Sequence, residues 1–204
     1  MQTILKKIAK SERFIDELIY IIKNENENLS IDKFVKKYRD MFDSYHLVEW
    51  IIDDKYISEK NQRLFAVLCA KKALELARNT SEVIGVLEVA ERFANGEATK
   101  EEMKAANKRA RNANYGYKYK ENDDEFNIIY ADVVLYIRGA VMAATDPYPY
   151  SENSFCDEAI SALENCADAY DTNYYMINGH YDHSGETIDK INNELIDKLL
   201  TYFE

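Results

Sequence analysis

Helix breakers are scarce in this chain, which has 6 Gly and 2 Pro among 204 residues. With Ala, Leu, Ile, Glu and Lys abundant, that scarcity reads as a mostly helical protein. Cysteine is also rare. The three, Cys69, Cys156 and Cys166, are odd in number and have no C-x-x-C spacing, so neither a disulfide framework nor a paired-cysteine metal site is indicated. Cys69 lies in the apolar run LFAVLCA and reads as a buried, reduced thiol. No run of 18 or more apolar residues occurs, so no membrane span is expected. The first residues, MQTILKKIAKSERFIDELIYIIK, interleave charge and apolar positions without the apolar block of a secretory signal. G-x-S-x-G, the Walker lysine loop and G-x-G-x-x-G are all missing, so no nucleophile elbow or phosphate cradle can be named.

Basic residues are missing from one end. Residues 1–120 hold 23 Lys and Arg against 19 Asp and Glu, a net +4, whereas residues 121–204 hold 3 against 18, a net −15. An acidic C-terminal part repels phosphates and attracts basic surfaces. Its plainest explanation is a solvated acidic surface; its functional one is recognition of a cationic macromolecule.

What is present is helical periodicity with marked ends. Ile4, Leu5, Ile8, Phe14, Ile15, Leu18, Ile19 and Ile22 form an amphipathic stripe over 3–23. Ser30 precedes a second stripe, and 45–57 reads as a brief helix or buried strand. Ser58 opens the most apolar helix, running to Ala77. Asn79 and Glu82 have capping-box spacing before a helix over 81–94. In ANGEATKEEMKAA, Asn95 and Gly96 end one helix, and Thr99 with Glu102 starts the next. That next helix, to about Asn114, is rich in Ala, Lys and Arg and shows a basic face to solvent. Asn122 and Glu125 precede a helix to Ala144, stopped by Asp146-Pro147-Tyr148-Pro149. A further helix is expected from Phe155 to about Tyr170, an irregular stretch over 171–185, and a closing helix over 186–203. The expectation is an all-α fold, one compact domain of eight or nine helices over 1–204, with 115–122 the place where a subdivision could fall.

Two constellations carry chemistry. His180, Asp182 and His183, with Glu186 near, could hold a zinc or nickel ion, with Cys166 or Glu164 completing the set. The bland alternative is a polar loop in which Asp182 or Ser184 caps the closing helix. The second constellation is tyrosine, of which there are 16. They cluster at 115–119, at Tyr148 and Tyr150, and at Tyr170, Tyr174, Tyr175 and Tyr181. Tyrosine gives rigid contact area at recognition surfaces, or fills an outer core with its hydroxyl reaching water.

The stretch Arg63–Ala113 resembles a family of alanine-rich helical immunity proteins of bacteria and phages, of the toxin-immunity type. The matching residues are Arg63, Leu64, Phe65, Ala66, Cys69 and Ala70, then Ala90, Ala94, Gly96, Ala98, Thr99, Glu101, Glu102, Ala105 and Ala106. The closing INNELIDKLLTYFE is similar more loosely. After Asn112 the chain departs from the pattern, with NYGYKYKENDDE where an alanine-, tryptophan- and arginine-bearing run is usual. The resemblance implies a non-enzymatic inhibitor that binds a partner, without catalytic residues or cofactor.

The expected function is therefore a cytoplasmic protein-binding inhibitor whose acidic, tyrosine-bearing C-terminal surface blocks a basic toxin or nuclease, with no direct contact to nucleic acid or membrane. The expected contact residues are Tyr148, Tyr150, Glu152, Asp157, Asp168, Asp171, Tyr174 and Tyr175. Two alternatives stand beside it: a phage-encoded anti-defence inhibitor that mimics nucleic acid charge, and a metal-dependent protein or enzyme centred on 180–186.

Overall fold

The computed structural model describes residues 29–39, 47–48, 51–52, 57–116, 125–147, 155–180, 182 and 184–203. Among them are seven α-helices and no strand: α1 Ile31–Tyr38, α2 Glu59–Leu74, α3 Ile84–Ala94, α4 Lys100–Asn112, α5 Glu125–Ala144, α6 Phe155–Asn178 and α7 Glu186–Leu200, the last followed by a 3-10 turn Thr201–Phe203. The fold is all-α. Of the eight or nine helices expected, the stripe over 3–23 lies outside the described residues. So does most of 45–57, whose Leu47, Val48, Ile51 and Ile52 are helical and buried.

Three helices, α2, α5 and α6, pack on one another and make the centre. At mid-helix α2 is buried at consecutive positions, Phe65, Ala66 and Val67, and again at Cys69, Ala70 and Ala73. A helix apolar all round belongs inside a bundle. Small side chains line its neighbours as well: Ala140 and Ala144 of α5, and Ala159, Ala162 and Ala169 of α6, are buried. Helix α5 is long and apolar enough over Asn127–Ala144 to cross a membrane by length and composition. It is placed as a core helix, with Tyr130, Val133, Ile137 and Val141 inward and Asp132 outward.

The α3–α4 hairpin leans on this centre, α3 against α2 and α4 against α5. Its joint has the expected chemistry. Gly96 takes φ +75°, a conformation that costs glycine little. The Thr99 hydroxyl accepts from the Glu102 N–H at 3.1 Å, and the Glu102 carboxylate accepts from the Thr99 N–H at 2.7 Å, a complete capping box. Those contacts, with Arg92 beside them, hold the Glu102 carboxyl below its ordinary pKa. The hairpin is a scaffold element, and its charges are used locally.

The other expected box is different. Asn79 accepts from the Ser81 N–H and hydroxyl at 3.1 and 2.8 Å, but the Glu82 carboxylate accepts from the Asn114 N–H at 3.1 Å. Helix α3 starts at Ile84, three residues later than the spacing predicts. Glu82 has gone to a distant partner, and a tertiary hydrogen bond outcompetes the local cap.

Candidate functional site

Helix α6 is longer than expected. It continues through 171–178, where DTNYYMIN reads as irregular, and ends at Gly179 with φ +73°. Asp, Thr and Asn are weak helix formers, but no breaker stands among them, and the chain continues the helix already packed on α2 and α5.

This continuation organises the acids. Glu164, Asp168, Asp171 and Tyr175 are spaced i, i+4, i+7 and i+11, so they share one helix face. The other face is sealed: Ala159, Ala162, Leu163, Cys166 and Ala169 are buried. Asp168 is exposed, yet its carboxyl is crowded. Lost solvent around the group and then the charges of Glu164 and Asp171 raise its pKa above the usual carboxylate range. Like charges held side by side cost stability unless something else favours them.

Two other acids of the C-terminal part, Glu194 and Asp197, are placed differently. Glu194 bonds Lys72 of α2 at 3.1 Å, and Asp197 bonds Arg39 at 2.6 Å. Lys72 also holds Glu75 at 3.0 Å. The Tyr170 hydroxyl donates to the Glu75 carboxylate at 2.9 Å. This network joins α2, α6 and α7. Burial lowers the Lys72 pKa, but its bonds to Glu75 and Glu194 outweigh that and leave it raised. Tyr170 is raised as well, by burial and by the adjacent Glu75. Part of the charge asymmetry is therefore spent on ion pairs between helices, and Glu164, Asp168 and Asp171 gather on the α6 face.

Of the expected contact residues, Asp168 and Asp171 lie together on this face. Tyr175 stands at its far end and Tyr174 one position round the helix. Tyr174 meets the His180 ring edge-on at 5.9 Å. Asp157 is on the first turn of α6, its side chain outside the described residues, as are Tyr148, Tyr150, Glu152 and His183. Glu164 belongs to the face but not to the expected set. Its i, i+4 relation to Asp168 was the available signal.

In the 180–186 loop Asp182 is occupied by backbone. Its carboxylate accepts from the Ser184 N–H at 3.1 Å and the Thr187 N–H at 2.7 Å, and takes the Ser184 hydroxyl too. These bonds pull its pKa well below the ordinary value. It thus ties down the start of α7, whose N-cap Gly185 has φ +73° and no side-chain cap. Among the described residues no three His, Cys, Asp or Glu side chains are grouped to hold a metal ion.

Cys69 and Cys166 are free thiols in the core. Burial pushes Cys69 well above its usual value and Cys166 up to about 12, so neither is an activated nucleophile. Tyr115, expected in a recognition cluster, is fully buried. Its hydroxyl donates to the Ala110 carbonyl at 3.0 Å, and burial raises its pKa to about 12 against the opposing charge of Arg138.

The described chain is thus an all-α bundle carrying an anionic helix face. No protein family, no curated protein and no solved structure matches it.

Proposed function

We propose that the chain is a non-enzymatic, protein-binding inhibitor of the immunity type, acting in the cytoplasm on a basic toxin or nuclease. The observation that carries this reading is the α6 face, where Glu164, Asp168 and Asp171 stand in register and Tyr175 ends the row. Crowded carboxylates gain most from a cationic partner, because pairing relieves their mutual repulsion as well as adding attraction. Tyr174 and Tyr175 supply the anchors that fix such a contact once charge has brought the partner close. By sequence position Asp157, Glu152, Tyr148 and Tyr150 extend the surface toward the start of the helix. A blocker that places carboxylates where a nuclease holds phosphates uses the same face, so the anti-defence version is a choice of partner and not of chemistry.

The test is capture from the native host's lysate at low salt with the wild type and with the Asp168→Lys/Asp171→Lys variant. The wild type retains a discrete basic protein in stoichiometric amount and releases it as salt rises. The variant, melting at or above the wild-type temperature, does not retain it. Capture that ignores both salt and the double reversal removes the reading.

A further inference from the structure

We propose a second surface, beyond the acidic face: the seam between α4 and α5 binds the phosphate backbone of nucleic acid. From Met103 to its end at Asn112, α4 has four basic residues, Lys104, Lys108, Arg109 and Arg111, and no acid. Protein surfaces normally intersperse the two signs, and an unbroken basic stretch along a helix is the electrostatic footprint of phosphate contact.

The fold adds two arginines held in place. Asn107 of α4 is nearly buried and donates to the Met142 carbonyl at 3.2 Å and the Thr145 hydroxyl at 3.1 Å. Beyond the end of α4, the Tyr115 ring lies 5.6 Å from the Arg138 guanidinium. The two helices therefore run antiparallel. Arg111, one turn after Asn107, comes level with Arg138, one turn before Met142. The Arg111 Nε donates to the Asn107 carbonyl oxygen at 2.9 Å, which fixes the head and leaves its terminal nitrogens to bond outward. Arg138 is held against Tyr115, and its Nε is buried with no acceptor.

Several cations elsewhere have a carboxylate partner: Arg39 with Asp197, Arg63 with Glu59, Lys71 with Glu91, Lys72 with Glu75 and Glu194, Arg92 with Glu102. Among the described residues no carboxylate pairs with Lys108, Arg109, Arg111 or Arg138. Basic residues in a last turn complement the helix dipole. That accounts for Arg109 and Arg111. It does not account for Arg138 in the middle of α5, nor for the hold of the Asn107 side-chain oxygen on the Arg111 guanidinium. A planar fork with its stem fixed suits a phosphate oxygen better than a loose lysine does. Lys108 and Arg111, three residues apart and both exposed, then share one side of α4. The net charge of −11 does not forbid this, because screening confines each surface's field to about 8 Å at physiological salt.

The test is fluorescence anisotropy of a short labelled DNA duplex with the full-length protein, over a salt series. The wild type binds at low salt, and log K falls against log salt with a slope of about −3, for three or four phosphates neutralised. Lys108→Glu, an exposed change that leaves melting unaltered, weakens binding about tenfold or more and flattens the slope by about one. Asp168→Asn leaves binding in place, so failure here is separable from failure of the acidic face. Three results overturn the proposal: no binding at low salt, equal binding by the Lys108→Glu protein, or a wild type that self-associates at low salt through Lys108 and ignores the duplex.

Discussion

Asp168 is exposed, yet its carboxyl does not behave as a free one. Its pKa is raised by crowding, and then by Glu164 and Asp171. An acid that is harder to ionise in the folded chain holds its proton where the unfolded chain has released it. Stability therefore falls as pH rises from the unfolded value near 4 through the folded one. Asp168→Asn should remove that loss. The variant should melt slightly higher near neutral pH, by a few tenths of a kcal/mol after solvent screening, and match the wild type in acid. Paired thermal melts across pH 3 to 7 check the sign; a variant less stable at neutral pH refutes it. Tyr115 makes the contrasting case. It sits in a tyrosine-rich loop sequence, which hides that its ring is core and its hydroxyl closes the end of α4. Tyr115→Phe should cost about 1 kcal/mol in urea unfolding, the net worth of one hydrogen bond, without changing the shape of the transition.

At the scale of elements, the helix starts with two-way caps were the most legible. Thr99 and Glu102 need only each other, so their spacing suffices, and Thr99→Ala should cost about 1 kcal/mol of stability by the same urea measurement. Ser58 is similar: its hydroxyl accepts from the Asn61 N–H at 3.3 Å. Glu82 and the 171–178 stretch were not legible, because each depends on something far along the chain: Asn114 for the first, and for the second the packing of α6 on α2 and α5. The acidic face inherits that gap. Asp168 and Asp171 could be named from charge, but their alignment with Glu164 and Tyr175 depends on a helix whose end the sequence conceals. Gly139 was equally silent. A Cβ there would lie 2.0 Å from the Asn165 side-chain oxygen, and Asn165 is held by a 2.7 Å bond to the Ser161 carbonyl. Gly139→Ala should therefore destabilise by about 1–3 kcal/mol despite its better helix propensity. Adding Asn165→Ala should recover most of that loss, which a double-mutant cycle of unfolding free energies will read directly.

For the whole molecule, the division of charge is more informative than its total. Glu194 and Asp197 pair with Lys72 and Arg39 at the surface, Glu164, Asp168 and Asp171 gather on the α6 face, and Lys108, Arg109, Arg111 and Arg138 at the α4–α5 seam have no carboxylate partner among the described residues. Salt should act on the two surfaces together: both interactions weaken as it rises, while the fold, centred on apolar contacts, keeps its melting temperature within a few degrees. A large fall in melting temperature with salt would mean that the ion pairs, and not the α2–α5–α6 core, carry the stability. The same separation has a practical reach. Chromatographic media sample local patches rather than net charge, so at neutral pH and low ionic strength this acidic protein should adhere to sulfonate resin as well as to quaternary-amine resin, presenting a different side to each.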